Sequence, residues 1–400
     1  MKMYFDDRLI DGQFLRTLNH AYHQGADVGE CMATAARIKA NDIESWYREW
    51  TAIAERFYQQ GEKSASVGHR VSAKESYLKA CNYFRTSSIF LYSPATAAQL
   101  KEAYIKHRDA FRKAIQFFDT PVELVEIPYE NTTLKGYFMS ADNTNKPRPT
   151  VILNGGYDSC AEELYFFSGA AAVARGYNCL LFDGPGQGGA LIVEGIPSRY
   201  DWEHVLTPVV NYLLTKKDVQ QNRIALMGIS FGGYLAPRAA SVEHRIIALI
   251  ADPAQLDIFD AMKQRMPKFI LEGLTGKGRL KKSIANIVMK KVLQHPTKGW
   301  ALRRGLYVHG VATVKDYIDT IQQYSIKQGI KHISCNTLVC DAESDEISMF
   351  AKMVYDLLDC PKSYIKFKDS EGAGEHCEDG NRSLFNQRVF DWLDETFVTM

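Results

Sequence analysis

The residues best suited to chemistry are Gly228-Ile-Ser230-Phe-Gly232, which follow the apolar run RIALMG (223–228) and precede a helical stretch, YLAPRAA. A serine at such a strand-to-helix junction fits a nucleophile elbow, a strained turn that lifts the hydroxyl above a sheet. Gly228 and Gly232 supply the small flanking residues needed where strand and helix nearly touch. A serine hydroxyl is a weak nucleophile at neutral pH and needs a base in hydrogen-bond reach. With an elbow the chain order is serine, acid, histidine. Of ten histidines, only His332 and His376 fall in the last fifth, and only His376 follows every candidate strand. It sits in the loop Glu371-Gly-Ala-Gly-Glu-His376-Cys, between SYIKFKD and the closing helix.

The acid should lie just past the preceding apolar run, NTLVC, where Asp341, Glu343, Asp345 and Glu346 crowd together. Asp345 is favoured because Ile347 follows it and can anchor the loop, with Glu343 and Asp341 as the alternatives. Its task would be to fix the imidazole tautomer and stabilise the imidazolium. An oxyanion hole needs two backbone N–H groups aimed at the developing charge. Phe231, next to the serine, would give one. The glycine turn Asn154-Gly155-Gly156-Tyr157-Asp158 would give the other, from Tyr157 or, as second choice, Gly156.

One motif competes. Gly184-Pro-Gly186-Gln-Gly-Gly189 formally matches the dinucleotide pattern G-x-G-x-x-G. That site requires a helix opening inside the loop and an acid about 20 residues on. ALIVEGIPSRYDW shows no clean helix start, so the segment reads as a tight loop beside the active site.

The elements that must position these residues follow from periodicity. Residues 1–119 read as helical. In Asp42–Tyr58 the residues Ile43, Trp46, Trp50, Ile53 and Phe57 make one apolar face, with Asp42 as N-cap. That face needs covering, and the α/β part is the expected cover. Ser72-Ala-Lys-Glu75 reads as a capping box opening the next helix, and a third runs over about 97–118. From Thr120 the pattern changes. VELVEIPYE and TTLKGYFMS form two strands around a turn at Glu130-Asn131. Apolar runs at 150–154, 179–183, 223–228, 246–252, 336–341 and 363–369 then alternate with helical stretches, which implies a mostly parallel sheet with helices on both faces. The interval 253–335 is too long for one crossover and reads as a helical insertion carrying the basic stretch GKGRLKKS.

Composition sets the outer limits. The 400 residues are 46% hydrophobic and 24% charged, with a formal net charge of +1 and no block of like charges. Nothing here points to nucleic acid or an anionic membrane as partner. The start, MKMYFDDRLIDG, lacks the apolar core of a signal peptide, and no apolar run approaches a membrane span, so a cytoplasmic protein is expected. The eight cysteines are far apart and form no CxxC pair, which gives no sequence sign of a zinc site or a disulfide framework. No metal and no organic cofactor are expected.

Taken together, NGGYDS (154–159), FDGPGQG (182–188), GISFGGYLAPRAA (228–240) and EGAGEHCEDG (371–380) resemble one α/β-hydrolase group. It contains fungal heptaketide hydrolases of melanin pathways, polyketide-trimming lyases of bacterial anthraquinone pathways and 2,6-dihydroxypseudooxynicotine hydrolase. GADVGECMATAARIKANDIESWYREW (25–50) and RVSAKESYLKACNYFR (70–85) resemble that group's N-terminal domain. The resemblance implies an α/β-hydrolase domain over 120–400, inserted at about 253–335, beneath a helical lid domain over 1–119. It implies a Ser230–Asp345–His376 triad and hydrolysis of a C–C bond next to a ketone in an aromatic or polyketide substrate. A carboxylesterase or thioesterase with the same triad is the alternative, and a non-catalytic regulatory protein on this fold is a more distant one. A homodimer is left open.

Overall fold

A computed structural model describes residues 1–276 and 278–398. Lys277, in the basic stretch noted above, lies outside the described residues. Eight strands make one sheet: β1 (Val122–Tyr129), β2 (Thr132–Met139), β3 (Arg148–Asn154), β4 (Asn178–Phe182), β5 (Val219–Ile229), β6 (Ala248–Asp252), β7 (Asn336–Ala342) and β8 (Lys362–Phe367). Their spatial order is β1-β2-β4-β3-β5-β6-β7-β8. β1 pairs antiparallel with β2, and β2 antiparallel with β4. The other neighbours are parallel, so β3 to β8 all end at one edge of the sheet. β4 and β6 are buried at every residue. That explains their unbroken apolar sequences, since helices cover both faces.

Helices Glu203–Leu214, Gly232–Ala240 and Ala351–Leu357 pack on one face. The closing helix Arg382–Val398 and the N-terminal helices share a core with the other. Between β6 and β7 the described residues form five α-helices, Ile258–Arg265, Lys268–Thr275, Arg279–Gln294, Trp300–Val308 and Val314–Ile321. They carry a small core of their own, with Ile270, Leu274, Met289 and Ile318.

The N-terminal segment is helical, as expected, but differs in two respects. Asp42 does cap the helix Ile43–Ser66, accepting from the Ser45 N–H. The next helix, however, begins at Arg70, after His69, which makes no capping bond with its side chain. Ser72 therefore lies inside the first turn and the capping box does not form. The second difference concerns the Trp46–Trp50–Phe57 face. It is covered by the segment's own residues: Trp46 meets Phe5 and Phe90, Trp50 meets Phe14 and Tyr83, and Phe57 meets Tyr83. Other side chains face the sheet. Phe111 packs edge-on against Tyr137 of β2, and Tyr104 donates to Asp183 at the end of β4. Periodicity identifies an apolar face but not which of two neighbours will cover it.

Candidate functional site

β5 ends at Ile229, and the helix Gly232–Ala240 starts three residues later. Ser230 joins them with φ of 60°, in the left-handed region, where a residue with a Cβ carries strain of about 1–3 kcal/mol. Its surroundings hold it there. The Ser230 N–H donates to the Asp252 carbonyl at 2.6 Å. Its own carbonyl accepts from Gly233 N at 2.8 Å and from Gln255 Nε2 at 2.6 Å. The flanking glycines are sterically required. A Cβ on Gly228 would lie 2.1 Å from the Gly232 carbonyl oxygen, and one on Gly232 would lie 2.3 Å from that of Asn154.

The hydroxyl points at a histidine. Ser230 Oγ is 2.8 Å from His376 Nε2, and His376 Nδ1 is 2.7 Å from Asp345 Oδ2. Because Nδ1–H donates to a carboxylate, Nε2 is the nitrogen free to accept the serine proton. His376 opens a short turn, His376–Glu378, beyond β8. Asp345 lies just past β7, where the Ile347 N–H donates to Oδ1 at 2.9 Å and Ser348 Oγ reaches Oδ2 at 3.3 Å. Ile347 thus anchors the Asp345 carboxylate through its backbone. The Asp345 side chain is 4% exposed and that of His376 is 37% exposed, so the carboxylate is sealed while the imidazole stays reachable. Burial pulls the imidazole pKa down, but the Asp345 charge and hydrogen bond outweigh it, and the net shift is upward. For Asp345, burial pushes upward and the His376 charge and the bonds it receives win, so its pKa falls.

The neighbouring carboxylates are engaged elsewhere. Asp341 accepts from Tyr364 and lies 3.3 Å from Lys366 Nζ. Glu343 accepts from Asp369 N at 2.9 Å, and Glu346 pairs with Arg8 at 3.0 Å. His332 is exposed on a separate turn, Ile330–His332.

On the other side of the serine lies the turn after β3. A Cβ on Gly156 would sit 2.8 Å from Ser230 Cβ, 2.9 Å from Phe231 N and 3.0 Å from Ser230 Oγ. Among the described residues, the N–H groups of Gly156, Tyr157 and Phe231 have no hydrogen-bond acceptor. The Tyr157 and Phe231 rings stack with centroids 4.1 Å apart.

Sequence reasoning missed what braces this turn. Gln187 Nε2 donates to the Gly155 carbonyl at 2.6 Å, while its Oε1 accepts from Gly184 N at 3.1 Å. The G-x-G-x-x-G segment is therefore a prop for the turn. Contrary to the sequence reading, a short helix, Gly188–Ile192, does begin inside it. Tyr157 Oη bonds to His309 Nε2 at 2.9 Å, and His309 Nδ1 to Tyr324 Oη at 3.1 Å. Burial lowers the His309 pKa to about 4, so it serves as a neutral ring with one donor and one acceptor nitrogen. Asp158 bridges Arg16 (3.2 Å) and Arg304 (2.7 Å), one from the N-terminal helices and one from the insertion. No local motif marks His309, Arg16 or Arg304.

This strand order, with a left-handed serine between β5 and a helix and a histidine after the last strand, defines an α/β-hydrolase. The FrsA-like esterase model matches residues 39–309, and the chain belongs to that family of enzymes. It is similar to the hydrolase LUC6 of a Fusarium species, 34% identical over 99% of this chain and 98% of that one. It is also similar to the 20-hydroxy-prefusarin hydrolase FUS2 of Gibberella moniliformis, 35% identical over 100% of this chain and 99% of that one. Among solved structures, 2,6-dihydroxy-pseudo-oxynicotine hydrolase shares the fold with a TM-score of 0.75 at 22% identity, covering 96% of each chain. Among the described residues no helix is long and apolar enough to cross a membrane.

Proposed function

We propose that Ser230, His376 and Asp345 form a catalytic triad that hydrolyses a C–C bond next to a ketone in an aromatic or polyketide-type substrate. The observation that carries the reading is the continuous hydrogen-bonded chain from Ser230 Oγ through His376 to Asp345, beside amide groups that have no acceptor. In the first step His376 Nε2 takes the serine proton as Oγ bonds to the ketone carbon. The oxyanion is held by the Phe231 N–H and by that of Tyr157 or Gly156. Collapse breaks the C–C bond. The electron pair leaves as a carbanion, tolerable only where conjugation spreads its charge, and His376 returns the proton to that carbon. Water, deprotonated by His376, then cleaves the acyl-serine to a carboxylic acid.

Two considerations support a polyketide-type substrate: the four-motif resemblance, and a relative along the whole chain named for 20-hydroxy-prefusarin. The helices before β1 would act as a lid over the carboxyl edge of the sheet, where ligands of such sheets bind. Ester or thioester hydrolysis by the same triad is the second reading, favoured by the FrsA-like esterase match.

Mass spectrometry of a conjugated β-diketone incubated with the enzyme in ¹⁸O-water separates the two. C–C hydrolysis gives a shortened ketone or arene and an acid carrying one labelled oxygen. If C–C bonds survive in every conjugated ketone tried while esters are cleaved, the second reading replaces the first.

A further inference from the structure

A second cluster of reactive side chains lies away from the triad, where the helix Ala97–Ala114 meets the segment after β3. His107 Nε2 is 3.1 Å from Cys160 Sγ and 3.5 Å from Glu162 Oε2, and all three residues are buried. The three donor atoms lie within 4.8 Å of one another. We propose that His107, Cys160 and Glu162 bind a divalent metal ion, zinc by the softness of the donor set, which staples the N-terminal helices to the sheet.

The hydrogen bonds around the cluster leave one ring nitrogen, His107 Nε2, facing two acceptors at its centre. His107 Nδ1 is 2.8 Å from the Cys81 carbonyl oxygen, which can only accept, so Nδ1 carries a proton. Nε2 is then either a bare lone pair or a single N–H. A bare lone pair would face the Glu162 carboxylate. A single N–H can serve the sulfur or the carboxylate oxygen, not both. Glu162 Oε2 is buried and, among the described residues, makes no hydrogen bond beyond its 3.5 Å ion pair with His107 Nε2. One cation between the three atoms satisfies all of them. Its binding would displace the Cys160 thiol proton, since the thiolate is the ligand.

Geometry and surroundings agree with this. Zinc bond lengths in a tetrahedral site put N···S at about 3.6 Å and N···O at about 3.3 Å. The observed 3.1 and 3.5 Å are within half an ångström or so of those separations. A ligating histidine commonly donates its other N–H to a backbone carbonyl, and a ligating carboxylate is itself hydrogen-bonded. Here the Cys81 carbonyl takes the Nδ1 proton, and Tyr137 Oη donates to Glu162 Oε1 at 2.7 Å. A cavity of about 20 Å³, bordered by His107 and Cys160, adjoins the site. That volume has room for one water, which would be the fourth ligand. Spacing along the chain hides the group, because His107 and Cys160 are 53 residues apart.

The test is metal content of the full-length protein supplied with zinc and then desalted. About one zinc per chain is expected. Removing it with a strong chelator should lower Tm, and restoring it should recover Tm. Cobalt in its place should show a thiolate charge-transfer band. Cys160→Ser should lose the metal, while the control His332→Ala, at an exposed histidine, should keep it. Fluorophosphonate labelling of Ser230 should be unchanged by metal, which separates this site from His376 and Cys377. Absence of stoichiometric metal, a cobalt spectrum without the thiolate band, a chelator-insensitive Tm, metal retained in Cys160→Ser, or metal that blocks the labelling would each overturn the proposal. The cluster would then be an imidazolium–carboxylate pair. If Cys160→Ser does not fold, the wild-type cobalt spectrum and chelator response decide alone.

Discussion

The two sides of Ser230 are built differently. On the base side, His376 and Asp345 stand on turns just past β8 and β7, and their positions follow from parallel register and a few local bonds such as Ile347 N–H to Asp345. On the oxyanion side, the turn 155–158 is held by side chains from distant parts of the chain. Gln187 braces Gly155, His309 holds Tyr157, and Arg16 and Arg304 hold Asp158. One half of the site is a product of the sheet. The other is shared with the helices that would cover a substrate. The acid–base pair should therefore tolerate changes in those helices, while the amide geometry should respond to them.

The largest effect expected is at the serine. Ser230→Ala should lower kcat by about 10⁶-fold, as for other triad serines, with Tm little changed because a small side chain is lost. Steady-state rates beside a melting curve check both halves. Next, Asp345→Asn should lower kcat by about 10⁴-fold by disturbing the His376 tautomer. The pH profile adds a signed test. His376 must be neutral to act as base, and Asp345 raises its pKa above the ordinary 6.5. Wild-type kcat/KM should thus rise with pH along a limb centred above 6.5, and the residual activity of Asp345→Asn should show that limb at lower pH. An unmoved limb would assign it to another group.

Effects on the oxyanion side should be smaller and confined to kcat. In Gly156→Ala the new methyl would press on Ser230 and on Phe231 N, and loss of one oxyanion donor typically costs about 10²–10³-fold in kcat. His309→Phe keeps a ring but removes the 2.9 Å bond to Tyr157 Oη, leaving only the 3.5 Å contact with Tyr317 Oη. A loss of roughly 10-fold in kcat is expected, about the 1.4 kcat-determining kcal/mol of one hydrogen bond. His309→Gln, able to donate and accept, should recover part of it. A change in KM alone for both variants would mean that the insertion shapes the pocket without touching the turn.

The contrast also explains what could be read in advance. Strand runs, the elbow glycines and the order serine, acid, histidine depend on local pattern and on the topology of one sheet, and these selected the three residues that meet at Ser230. Asp345 stood out among four carboxylates because Ile347 follows it and can anchor the loop. The covering of Trp46 and Trp50, the helix that starts at Gly188 and the His309–Tyr157 bond are pairings across long stretches of chain. Capping of the helix at Arg70 failed for a different reason: a matching Ser-x-x-Glu pattern forms no cap when the helix begins two residues earlier.

The most direct test of the account is the identity of the residue that reacts with a fluorophosphonate. Intact-mass analysis followed by peptide sequencing should find a single phosphonyl adduct on Ser230 in the wild-type protein, much slower adduct formation in Asp345→Asn, and none in Ser230→Ala. An adduct on another residue, or a wild-type protein that stays unlabelled while folded, would contradict a triad centred on Ser230.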